Sequence, residues 1–131
     1  ECAKARGCRR AIELPVSAPF HSSLMQPAAD KLAARLAEIE LGVPEIPVIA
    51  NVDVEVHETP DAIRKALARQ AAGPVQWVRT IERMKAGGIT DIVECGPGKV
   101  LTGLLRRTAP EINGHNVFDA ASLAAVLEKL N

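Results

Sequence analysis

The second half of this chain contains the succession that most limits its fold. Residues 89–95 (ITDIVEC) form a run of strand length, and Gly96-Pro97-Gly98 turns the chain. Residues 99–107 (KVLTGLLRR) then have helical spacing, and residues 115–118 read as another short strand. Strands joined through a helix-length crossover pair in parallel, whereas a tight hairpin joins antiparallel ones. The same alternation runs through the rest of the chain, so the predicted class is α/β with a parallel sheet.

The remaining elements follow from spacing and breakers. Residues 1–9 are basic and helix-compatible, and Ile12, Leu14 and Val16 alternate as a short strand over residues 11–17. Pro27 suits the first turn of a helix whose buried face is Leu32, Leu36 and Ile39, ended by Gly42 and Pro44. Residues 47–50 (PVIA) read as a buried strand, and Val52, Val54 and Val56 continue it as a half-exposed extended segment. Thr59-Pro60 is a capped helix start, and Gly73-Pro74 breaks that helix after Ile63, Leu67 and Gln70. A helix with Trp77, Ile81 and Met84 on one stripe follows, stopped by Gly87-Gly88. Asp119 caps a last helix carrying Leu123, Val126, Leu127 and Leu130.

Composition excludes several classes of function. The 131 residues amount to one domain or part of one. Sixteen acidic side chains cancel sixteen basic ones, which argues against a nucleic-acid binder that works by neutralising phosphates. No apolar run approaches the ~18 residues of a membrane span, and no signal-peptide pattern is present, so the expected compartment is cytoplasmic. The chain opens at Glu1 inside a helix-like stretch, which reads as the C-terminal piece of a longer polypeptide. Cys2, Cys8 and Cys95 are odd in number and irregularly spaced, so they imply neither a disulfide framework nor a zinc site, and no metal or cofactor is expected. Cys95, after an apolar run, reads as a small hydrophobe.

Three places could carry chemistry. His21 lies on a Pro-flanked loop just after a strand, where a neutral imidazole can act as a general base. Ser17, Ser22, Ser23 and Ser122 all lack the G-x-S-x-G context of a nucleophile elbow, so a nucleophile for His21 must lie elsewhere. Gly96-Pro97-Gly98-Lys99 could receive a phosphate at a helix N-terminus, but it fails the P-loop spacing and reads first as a tight turn. Gln70 ends a helix on its apolar side, as a cap or a satisfied buried amide does. The basic clusters at 4–10 and 106–107 read as solvated faces or as a surface for an acidic partner.

Ser17-Ala18-Pro19-Phe20-His21-Ser22-Ser23-Leu24-Met25, followed by Pro27-Ala28-Ala29, resembles the active-histidine segment of bacterial malonyl-CoA:acyl carrier protein transacylases. The resemblance continues in order through residues 47–53 (PVIANVD), Arg69-Gln70, Pro74-Val75-Gln76-Trp77 and residues 94–104 (ECGPGKVLTGL), and weakens after Arg107. It implies an α/β-hydrolase-like core with an inserted ferredoxin-like small subdomain. Residues 1–16 would end the insert and residues 17–131 would form the C-terminal half of the large subdomain.

By that resemblance His21 matches the catalytic histidine, which takes the serine proton during attack on the thioester and returns it to the leaving thiol. The serine and the arginine for the malonyl carboxylate belong to the first half of such enzymes and are absent here. Gln70 matches the residue whose main-chain oxygen orients the histidine, so replacing its side chain is expected to cost little. Phe20 matches an aromatic that fills the space an α-methyl would need and so favours malonyl, and Asn51 matches a position near the site. The expected partners are malonyl-CoA, an acyl carrier protein steered by Arg9 and Arg10, and the missing N-terminal half, with no nucleic acid or membrane. The other readings are an inactive fragment of a polyketide or fatty acid synthase acyltransferase domain, a non-catalytic binding module, and an unrelated α/β domain binding a phosphorylated ligand at residues 96–99.

Overall fold

The computed structural model describes residues 2–10, 12 and 16–130. Its elements run α1 (Cys2–Ala5), a 3-10 turn (Ser23–Met25), α2 (Gln26–Ala37), α3 (Pro60–Ala72), α4 (Trp77–Ala86), β1 (Asp91–Cys95), α5 (Val100–Thr108), β2 (Asn113–Val117) and α6 (Ala120–Leu130). The predicted strand over 11–17 falls largely outside the described residues, and Ile12 and Val16 are exposed and not in a strand.

β1 and β2 pair in parallel with Val93 opposite His115, and α5 makes the crossover between them, as the strand–turn–helix–strand pattern requires. Gly114 on β2 permits the close approach of α5. A Cβ there would lie 3.0 Å from the Thr102 Cγ2 and 3.2 Å from the Leu105 Cδ2. Ile81 of α4, Leu105 of α5, Ala109 and Ile112 form the core, with Trp77, Met84 and Ile92 packed around it. Trp77 is half-buried, and its Nε1–H donates to Thr108 Oγ1 at 3.1 Å, so the indole's polar atom is satisfied. Asp119 caps α6 as expected: its Oδ1 accepts the Ser122 N–H at 2.7 Å while Ser122 Oγ accepts the Asp119 N–H at 3.0 Å.

α2 and α3 pack against each other through Ala29, Leu36 and Ala66. Pro27 sits in the first turn of α2, and the helix stops at Ala37, five residues before Gly42. Arg64 explains the earlier stop. Its Nε donates to the Leu36 carbonyl at 2.9 Å and its NH2 to the Ile39 carbonyl at 2.7 Å, satisfying the end of α2 from the flank of α3. Thr59 Oγ1 accepts the Ala62 N–H at 3.3 Å and Pro60 opens α3, as read from the sequence.

Residues 47–56 correct the sequence reading. Val48 is 63% exposed, and the segment makes only an isolated antiparallel bridge between Ile49 and Val56. The chain folds back on itself, with the Ala50 N–H donating to Glu55 O at 2.9 Å and the Val54 N–H donating to Ala50 O at 2.8 Å. Val54 adopts φ +66° with its side chain buried, a conformation that β-branched residues rarely take. Arg83 holds the turn by donating to the Val54 carbonyl and to Glu55. Alternation of valines with polar residues is read equally well by a turn that buries one of them, which is why periodicity misassigned the segment.

Candidate active site

His21 sits on the turn that leads into the 3-10 segment before α2, with φ +58°. The turn is closed by Ser22 Oγ–H donating to Pro19 O at 2.8 Å and by the Met25 N–H donating to Ser22 O at 3.0 Å. His21 Nδ1 lies 3.1 Å from the carbonyl oxygen of Gly73. A carbonyl only accepts, so Nδ1 carries the proton and Nε2 of the neutral ring is free to take one.

The resemblance pointed to the Gln70 main-chain oxygen as this partner; in the structure the oxygen within hydrogen-bond distance of Nδ1 is that of Gly73, three residues further on. Carbonyls within α3 point along the helix axis. Gly73 has left the helix at φ −86°, ψ 159°, which turns its carbonyl sideways toward the histidine. Gln70 acts instead through its side chain, Oε1 accepting the Asn51 N–H at 3.0 Å. The Gln76 N–H donates to Asn51 O at 2.8 Å, so the Asn51 peptide is held on both sides. The expectation that replacing the Gln70 side chain costs little does not fit this bond, because its loss would leave a half-buried N–H unpaired.

Phe20 precedes His21 and is 55% exposed, so its ring is available to whatever approaches the imidazole. The structure brings His21 together with the end of α3, and Gln70 together with Asn51. Asp53 and Arg69 are the residues sequence reasoning passed over. The Asp53 carboxylate accepts from the Arg69 guanidinium, from His57 Nε2 at 3.2 Å and from the Glu55 N–H at 3.2 Å. Desolvation opposes the charge on Asp53. The Glu55 N–H, His57 and Arg69 outweigh it and hold the carboxyl below its usual range. In the sequence both residues lie within matched segments, PVIANVD and Arg69-Gln70, and carry opposite charges.

The Gly96-Pro97-Gly98-Lys99 turn is occupied from within. Glu94 Oε2 accepts the Thr102 hydroxyl at 2.6 Å and the Thr102 N–H at 2.8 Å, and its Oε1 accepts the Leu101 N–H at 3.1 Å. A carboxylate from β1 thus fills the N-terminus of α5, where a phosphate would have had to sit. The Thr102 hydroxyl, then the neighbouring N–H groups, keep its pKa low. Gly96 and Gly98, at φ +140° and +98°, let the chain turn tightly enough for the carboxylate to reach back.

A cleft of about 970 Å³ lies between residues 47–56, α4, β1 and α5. Its walls are mostly apolar, among them Ile49, Trp77, Met84 and Ile92; Asn51 reaches it and His21 does not. Cys2, Cys8 and Cys95 are all free and exposed, so Cys95, read as a small hydrophobe, stands at the solvent-facing end of β1. Among the described residues, no group of three or more His, Cys, Asp or Glu could hold a metal ion, and no helix is long and apolar enough to cross a membrane.

No protein-family model matches the sequence. A malonyl CoA-acyl carrier protein transacylase of Escherichia coli K12 is 49% identical over 125 residues, covering 95% of this chain and 40% of that protein. The malonyl-transacylase solved in complex with a type II PKS acyl-carrier protein superposes with a TM-score of 0.90 at 48% identity, over 96% of this chain and 41% of that one. An acyl carrier protein S-malonyltransferase of Vibrio cholerae gives 0.86 at 51% identity, over 94% and 40%. The chain therefore spans about 40% of the length of the curated relatives it matches.

Proposed function

Because the chain belongs to the malonyl CoA-acyl carrier protein transacylase family, we propose that it supplies the general acid/base for malonyl transfer from malonyl-CoA to the thiol of an acyl carrier protein. The observation that carries this reading is the His21 imidazole, anchored at Nδ1 by the Gly73 carbonyl, with no hydrogen bond to Nε2 among the described residues. In the proposed reaction Nε2 takes the proton of a serine hydroxyl as that oxygen attacks the malonyl thioester carbon. The C–S bond breaks, and the imidazolium returns the proton to the departing CoA sulfur. The carrier's phosphopantetheine thiol then gives its proton to Nε2, attacks the malonyl ester and releases the serine oxygen, which recovers the proton. The Gly73 carbonyl stabilises the Nδ1–H throughout, playing the orienting part that a carboxylate plays in a Ser-His-Asp triad.

The serine is placed outside this chain, since none of its serines lies on an elbow turn. Residues 1–16 are assigned to the end of an inserted small subdomain and residues 17–131 to the C-terminal half of the large one. Phe20 is assigned to the wall against which the acyl group's α-carbon packs, and Asn51, by the resemblance, to a substrate-binding position near the site. Arg9 and Arg10, both exposed, are assigned to steering of the acidic carrier.

The test is intact mass after brief exposure to malonyl-CoA, on this chain and on the full-length polypeptide that carries it. A malonyl adduct only on the longer protein, lost from the thiol-transfer cycle on His21→Ala, is the expected result. An adduct on the 131-residue chain itself would put the nucleophile within these residues and overturn the assignment.

A further inference from the structure

We propose that Asp53 is a positioning residue for His21, acting through Arg69 on the end of α3; this rests on the reading of His21 as the general acid/base. The carbonyl that orients His21 belongs to Gly73, one residue past α3. Such a carbonyl is only as well placed as the helix end it follows, and helix ends fray. The contacts that fix this end come from the turn at residues 51–53. The Asn51 peptide is bonded to the Gln70 side chain on one side of Gly73 and to the Gln76 N–H on the other. Val52 Cγ2 fills the space beside Gly73, 2.6 Å from where a Cβ would stand.

Asp53 closes the bracket. Its carboxylate is fixed to its own turn by the Glu55 N–H and flanked by His57, and its side chain is only 22% exposed. From that position it grips the Arg69 guanidinium. The Arg69 carbonyl accepts the Gly73 N–H at 2.8 Å. The path from Asp53 to the imidazole therefore has two steps beyond the ion pair: Arg69 O to Gly73 N–H, and Gly73 O to His21 Nδ1–H. Asp53 makes no hydrogen bond to His21, so its influence is on geometry. Loss of the grip lets the last turn of α3 shift, and a misplacement of about 1 Å can cost about a hundredfold in rate.

The experiment compares Asp53→Asn, Arg69→Ala, the double variant, His21→Ala and Asp61→Asn in the full-length polypeptide. Asp61 pairs with Arg64 at the exposed start of α3 and serves as the control. Asp53→Asn and Arg69→Ala are each expected to lower kcat about tenfold, with KM for malonyl-CoA within about twofold and Tm within about 3 °C of the unmodified protein. The double variant is expected to match the worse single one, because both break the same contact. Asp61→Asn is expected to behave as unmodified protein. Should Asp53→Asn fail to fold, Arg69→Ala, whose side chain is 56% exposed, decides the matter on its own. Unchanged kcat in both single variants, with His21→Ala inactive, overturns the positioning role and leaves the base assignment standing. Multiplying effects in the double variant also overturn it, since Asp53 would not then act through Arg69. An active His21→Ala would instead remove the reading of the site itself.

Discussion

Replacing His21 by asparagine separates what its two ring nitrogens do. The Asn amide nitrogen branches from Cγ as Nδ1 does, so it can still donate to the Gly73 carbonyl, now 3.1 Å from Nδ1. It has nothing in the place of Nε2. Position 21 also lies at φ +58°, where most L-residues pay roughly 1–2 kcal/mol and asparagine pays less. His21→Asn should therefore leave the stability of the chain unchanged or raise it by up to about 1 kcal/mol in urea denaturation. General acid/base help is worth about 10²- to 10⁴-fold, or about 2.7–5.5 kcal/mol of barrier. The same substitution should thus cost the full-length polypeptide a factor in that range in malonyl transfer to carrier, followed by mass spectrometry of the carrier. If the variant keeps more than about a tenth of the rate, Nε2 carries no essential proton and the reasoning fails. If it loses more than about 1 kcal/mol of stability, the left-handed turn or the Gly73 bond has been misassigned.

The other predictions concern the frame around that histidine. Leu105→Ala, at a core position only 1% exposed, should cost about 2–5 kcal/mol in urea denaturation, and a cost under about 1 would mean α5 does not pack as described. Gln70→Ala strands the Asn51 N–H and should cost about 1–3 kcal/mol, measured the same way; no change would return Gln70 to a purely main-chain role. Asp53, Asp91, Glu94, Glu111 and Asp119 all have lowered carboxyl pKa values in the fold. Their stabilising contribution is thus complete above the ordinary carboxylate range near ~4 and fades as pH falls through the lowered values, so urea midpoints should drop in acid, and less steeply in Glu94→Gln. Phe20→Ser should raise transfer of methylmalonyl relative to malonyl by about 10-fold or more, as expected for one methyl group, and an unchanged ratio would detach Phe20 from the acyl group.

Most of the frame was legible because it depends on side chains with unambiguous local meaning. Thr59-Pro60 could hardly do other than start a helix, Gly73-Pro74 could not continue one, and ITDIVEC followed by a turn and a helix demanded parallel pairing. The valines at 52, 54 and 56 misled because alternation marks which residues share a face only when the backbone is extended. One left-handed residue, Val54, breaks that link without any glycine to announce it.

The site was half legible for a related reason. His21 declares itself as a titratable side chain on a turn, and the tie between Asp53 and Arg69 could in principle be sought as an opposite-charge pair. The group that orients His21 is a main-chain oxygen, and every residue carries one. What selects Gly73 is only that α3 ends one residue earlier, that Pro74 follows, and that a turn twenty residues upstream in the chain packs against that end. A carboxylate orienter would have left a mark in the sequence; a carbonyl leaves its mark on the residues that hold it still. If Asp53 and Arg69 are those residues, their loss should be felt at Nε2 of a histidine that neither of them touches, and the double variant is where that dependence becomes measurable.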